Sequence, residues 1–170
     1  WNCGFHLLAS WALSLKGIPV AYFACHSGMS KCVLGTDRDN VHKAMPCKSC
    51  VYQSRTLYKN VQMFEYSKVQ ASTLNWFDFA RDSQLASHIS QRSLQELMDF
   101  EYENIPLGKL CLPGLRWILR IHHLIDDENT RYLLREYILS VWNIAQKFSK
   151  FLDETNPRAV IVFNGQFFPE

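Results

Sequence analysis

A run of β-compatible apolar residues, Ile18-Pro19-Val20-Ala21-Tyr22-Phe23-Ala24, opens directly into a segment that carries four cysteines: Cys25, Cys32, Cys47 and Cys50. The run reads as a buried strand. Residues 25–50 are punctuated by Gly28, Gly35, Pro46 and the polar stretch Thr36-Asp37-Arg38-Asp39-Asn40, so they read as a cysteine-rich loop. A loop of this length is uncommon in a compact domain unless it is functional or held by something. Cys47 and Cys50 form a C-x-x-C pair that presents two sulfurs to one point, and Cys25 and Cys32 can complete a tetrahedral set. Three readings are open on the residues alone: a structural zinc site on all four thiolates, an iron–sulfur cluster, or a core thiol at Cys25 beside an incidental C-x-x-C. Zinc leads, because the tight C-x2-C-x2-C runs of many clusters are absent. Four thiolates leave zinc no open position, so such a metal would be structural. His26 and His42 are reserve ligands. A redox role for Cys47 and Cys50 lacks the βαβ context before Cys47. Cys3 and Cys111 read as packing thiols.

Residues 4–16 read as a helix, with Phe5, Leu8, Ala9, Ala12 and Leu15 on one apolar stripe, Asn2 as cap and Gly17 as stop. Residues 67–130 read as largely helical, with apolar faces at Leu85, Ile89, Leu94, Leu97 and Met98 and a break or start at Pro113-Gly114. Thr130 to Asp153 is the clearest helix, with a stripe of Leu134, Tyr137, Ile138, Val141, Ala145, Phe148 and Leu152, ended by Asn156-Pro157. Residues 159–163, Ala-Val-Ile-Val-Phe, read as a second buried strand. Two strands, each preceded by a helix, imply one α/β domain over residues 1–170: a Rossmann-like parallel sheet with helices on both faces and a helical insertion.

Ligands of such sheets sit at the carboxyl ends of the strands. Asn164 and Gly165 close the second run; they read either as a tight turn or as a loop that meets a ligand, with the Asn164 amide available to a sugar hydroxyl. Gly4 and His6 stand at the start of the first helix, where a helix N-terminus attracts anions. His6 is the candidate base or polar contact. His122-His123 beside Asp126-Asp127 reads as a solvated helical face, because adjacent helical residues point apart. The chain has 18 basic and 16 acidic residues, a net charge of +2, so bulk electrostatic binding to nucleic acid is disfavoured. No apolar run reaches the roughly 18–20 residues of a membrane span, and peripheral association with a membrane stays open. Six cysteines among 170 residues are too few for a disulfide scaffold. Reduced thiols in the cytoplasm are the expectation. A chain that begins at Trp1 reads as a fragment of a longer protein.

The order of these features resembles the N-terminal domain of two-domain glycosyltransferases of the GT-B type. The residues that carry the resemblance are the first helix with the Gly17-Ile18-Pro19-Val20 turn, the cysteines after the next strand, and the closing Val160-Ile161-Val162-Phe163-Asn164-Gly165-Gln166-Phe167. The last two features are similar to those of bacterial transferases of surface polysaccharide synthesis. The resemblance implies the acceptor-side half of an enzyme that transfers a sugar from a nucleotide-sugar donor, bound mostly by a C-terminal domain of the same chain. Gly4, His6, Asn164 and Gly165 would then face the cleft between the halves. The family's paired glycines are replaced here by Cys3-Gly4. The rival expectation is a non-catalytic, metal-stabilised α/β module that docks a partner through aromatic surface.

Overall fold

A computed structural model of the protein describes residues 2–58 and 72–162. The first helix, α1 (Asn2–Leu15), ends where Gly17 takes a positive φ of 75°. The Gly17 N–H then bonds the Ser14 carbonyl and the Ile18 N–H reaches back to Leu13 at 3.0 Å, closing the helix end as a Schellman turn. The chain reverses into β1 (Ala21–Cys25), so β1 runs back alongside α1, and the Tyr22 hydroxyl donates to Ser10 Oγ. The apolar stripe expected to face the core points outward instead: Phe5, Leu8 and Leu15 are 54%, 65% and 80% exposed. Leu7 and Ser10 are the buried positions.

The partner of β1 is β2 (Thr73–Phe77), paired in parallel with Ala21 opposite Thr73 and Cys25 opposite Phe77. This strand corrects the helical reading of its stretch: Thr-Leu-Asn-Trp-Phe is short, β-branched and aromatic, and its register follows from the ladder to β1. Among the described residues the fold is therefore mixed α/β with a two-stranded parallel sheet. Residues 159–162 form no strand; they follow the left-handed cap Asn156 (φ 41°), pair with nothing among the described residues, and leave Val160, Ile161 and Val162 about half exposed. Asn164 and Gly165 lie outside the described residues.

The core is helical. α3 (Ser83–Ile89), α4 (Leu94–Met98) and α5 (Leu107–Leu119) all pack on the long helix α6 (Glu128–Thr155). Leu85, Leu97, Leu107, Cys111, Leu115, Leu133, Leu134 and Ile138 are fully buried among them. Pro113 does not break α5. The carbonyl it leaves unbonded belongs to exposed Lys109, where water can serve it. The sheet docks on the far end of α6 through rings: Phe23 stacks on Phe77 at 4.3 Å and meets Phe148 and Phe151 at 5.1 and 5.2 Å. A short helix, α2 (Cys47–Leu57), stands on the surface with no buried residue. No helix among the described residues is long and apolar enough to cross a membrane.

Candidate functional site

The cysteine loop leaves the carboxyl end of β1 and is fastened to one polar line on α6. Glu136, Ser140 and Asn143 recur at i, i+4 and i+7, so they share a helix face. Asn143 donates to the Gly28 and Asp78 carbonyls at 2.9 and 3.1 Å and accepts from Ala80 N–H at 3.2 Å. Ser140 Oγ accepts from Lys31 N–H and donates within 2.8 Å of the Lys31 carbonyl. Glu136 accepts from Ser30 Oγ and from Arg81. Tyr137 donates to Thr36 Oγ1 at 3.0 Å. The Asn143 and Ser140 contacts satisfy backbone groups of the loops that burial would otherwise leave unpaired. The sequence carried a signal for this line: polar side chains inside the most apolar stretch of its longest helix.

The fastened loop gathers the four thiols. Cys25 ends β1, and its sulfur accepts the Gly28 N–H at 3.2 Å. Cys32 repeats the turn, accepting the Gly35 N–H at 3.2 Å. A side chain at Gly35 would crowd the turn: a Cβ would stand 3.1 Å from Cys32 Sγ and 3.3 Å from Pro46 Cδ. Pro46 immediately precedes Cys47, so this contact brings Cys32 to the start of α2. Cys47 and Cys50 occupy the first turn of that helix, not the end of an irregular loop. None of the four is in a disulfide. Burial pushes the Cys32 thiol up to about 11, with the charges of Cys47, Cys25 and Cys50 adding to the rise and the Gly35 amide opposing it. Cys25 is raised in the same way, by burial first and then by Cys50 and Cys47, against the Gly28 amide. Cys25 and Cys32 are thus disfavoured as thiolates by the charge of the neighbouring cysteines, a situation that a dication inverts. Among the described residues no three His, Cys, Asp or Glu side chains stand in a closed metal-binding arrangement. The donor set nevertheless suits Zn2+ in kind: four thiols, two of them with amides already aimed at sulfur.

The reserve ligands are used elsewhere. His26 N–H continues the ladder to the Phe77 carbonyl at 2.8 Å, and its ring places Nδ1 2.7 Å from Asp78 Oδ1 and Nε2 3.1 Å from Arg55 Nη2. Arg55 comes from α2. The carboxyl ends of β1 and β2 therefore end in a His26–Asp78 pair, and α2 closes over it with a guanidinium. Sequence reasoning missed Asp78 and Arg55; Asp78 directly follows Trp76-Phe77, a position that has meaning only once β2 is known to be a strand. His42 packs on Tyr132, ring centroids 4.4 Å apart. His6 is half-buried on α1, one turn before Ser10, and so lies toward the carboxyl end of β1. Gly4, on the same turn, is exposed, with open space where a side chain would stand. Cys111 is buried in the helical core. His122 and His123 are not on a helix: α5 stops at Arg120 (φ 57°), and the two rings meet edge to face at 4.8 Å in the turn that follows. No protein-family model, curated protein or solved structure matches the chain.

Proposed function

We propose that this chain is the acceptor-side α/β domain of a cytoplasmic sugar transferase, with its post-β1 loop stapled by zinc on Cys25, Cys32, Cys47 and Cys50. In this reading β1 and β2 belong to a Rossmann-like sheet with helices on both faces, and a C-terminal domain supplies the nucleotide-sugar site. One observation supports it above the others: the thiol group and the His26–Asp78 pair both stand at the carboxyl edge of a parallel strand pair, where α/β sheets take their ligands. Cys25, Cys32, Cys47 and Cys50 would hold a zinc that would supply no chemistry and would fix the loop and α2. His6 takes the proton of the acceptor hydroxyl as that oxygen attacks the anomeric carbon and the nucleoside diphosphate departs. His26, aligned by Asp78, and Arg55 offer polar contacts that position the acceptor. Gly4 borders the cleft.

The test uses the full-length protein purified without a metal-affinity step. Elemental analysis should give about one zinc per chain, and the protein should release nucleoside diphosphate from a nucleotide sugar. His6→Ala should lower turnover by about 100-fold or more with little change in melting temperature. Unchanged turnover in that variant removes His6 from the mechanism. Zinc without turnover on any nucleotide sugar would leave the non-catalytic, metal-stabilised module as the function.

A further inference from the structure

A second site lies away from the strand ends. The C-terminal end of α5 and the turn that leads into α6 enclose, against α4, a cleft of about 330 Å3. Arg116 lines it from α5, and His122 and His123 line it from the turn. Leu94 and Met98 of α4 form its apolar wall. Arg116 Nε is buried and has no hydrogen-bond partner among the described residues. A guanidinium N–H withdrawn from water without an acceptor is costly, so the position calls for an acceptor that the chain does not supply. The two imidazoles beside it each offer a ring N–H, in the neutral as well as the charged form. Asp126 is the carboxylate on the rim, and it is engaged by Arg131 at 3.2 Å.

We propose that this cleft binds a phosphorylated small molecule, with the phosphate on Arg116, His122 and His123 and the organic part against Leu94 and Met98. Guanidinium recognises phosphate through paired N–H donors, and the volume is at the lower end of small-ligand pockets, the size of a sugar phosphate. The site is independent of the sugar-transfer reading, since it shares no residue with the strand ends or the thiols.

The full-length protein, labelled in its histidine rings, is titrated with inorganic phosphate, with glucose 1-phosphate and with acetate, at constant ionic strength. The ring signals of His122 and His123 should shift saturably with both phosphates and more tightly with the ester, while acetate should produce no saturable shift. Arg116→Met should weaken phosphate binding about tenfold or more. Should that half-buried position not tolerate Met, the double variant H122A/H123A, altered only at exposed turn residues, must weaken it by a similar factor. Absence of a saturable shift up to about 10 mM phosphate, equal binding of acetate, or unchanged affinity in a folded variant would each overturn the site.

Discussion

Asn143 shows what a single side chain does in this fold. It sits in the middle of α6, 1% exposed, and binds three backbone groups from two separate loops: the Gly28 and Asp78 carbonyls and the Ala80 N–H. No other residue type supplies two donors and an acceptor at that length in a helix interior. Asn143→Leu has nearly the same volume but leaves all three groups buried without partners. Each such group costs of order 1–3 kcal/mol, so the variant should lose about 3 kcal/mol or more, read as a lower urea midpoint at unchanged slope. Gln146→Leu, one turn on and exposed, should change stability by less than about 0.5 kcal/mol. A loss below about 1 kcal/mol for Asn143→Leu would mean that water replaces the amide and that the loop is not fastened here. The amide was visible in the sequence; its partners were not. They lie 63 to 115 positions away, and single-chain periodicity carries no information at that range.

Elements differ in what sustains them. α6 was legible from its apolar stripe and from Asn156-Pro157, and the structure extends it by only a few residues at either end. β2 was not legible, because a five-residue strand is defined by its partner more than by its own pattern. Residues 159–162 show the converse: Val and Ile favour a strand, but with no neighbour to pair with among the described residues they remain irregular surface. α3 depends on its cap. Asp82 Oδ1 accepts from Leu85 N–H at 3.0 Å and Oδ2 accepts from the Trp142 indole at 2.9 Å. These bonds, the Leu85 amide first, hold the Asp82 carboxyl below its ordinary range. A depressed carboxylate stabilises the fold above its unfolded pKa, and that stability fades as the pH falls through the folded value. The wild type should therefore lose a share of its stability below about pH 4 that Asp82→Ala lacks throughout, at a cost near 1 kcal/mol at neutral pH. Parallel pH-stability curves for the two proteins would rule this out. α2 is the opposite case, with no side-chain cap and no buried residue. Eleven residues of helix are marginal without tertiary support. If zinc on Cys47 and Cys50 supplies that support, chelation or the change Cys47→Ser with Cys50→Ser should abolish hydrogen-exchange protection across Cys47–Leu57. Protection in α5 and α6 should persist. Equal protection before and after chelation would end the staple.

At the scale of the whole molecule, two bodies of unequal strength share one long helix. The N-terminal two-thirds of α6 carries α3, α4 and α5 on fully buried aliphatic side chains. Its last turns carry a two-stranded sheet through a cluster of phenylalanines. A two-stranded sheet is marginal by itself, so this end depends on Phe23 and its partners Phe77, Phe148 and Phe151. The α/β class was legible because it needs only the alternation of helix and strand. The division of strength was not, because it depends on which faces meet, and the stripe on α1 turned out to face solvent. Native-state hydrogen exchange under increasing urea should resolve two openings. Phe23→Ala should lower the protection of the amides of Tyr22 to Cys25 by about 2–4 kcal/mol and leave those of Cys111 and Leu115 unchanged. Leu134→Ala, at the centre of the helical core, should lower both sets by about 3 kcal/mol, because the sheet has nothing to dock on once α6 is released. Identical profiles for the two variants would mean a single cooperative unit, with the loop bonds to Glu136, Ser140 and Asn143 coupling sheet and core more strongly than the phenylalanine cluster does.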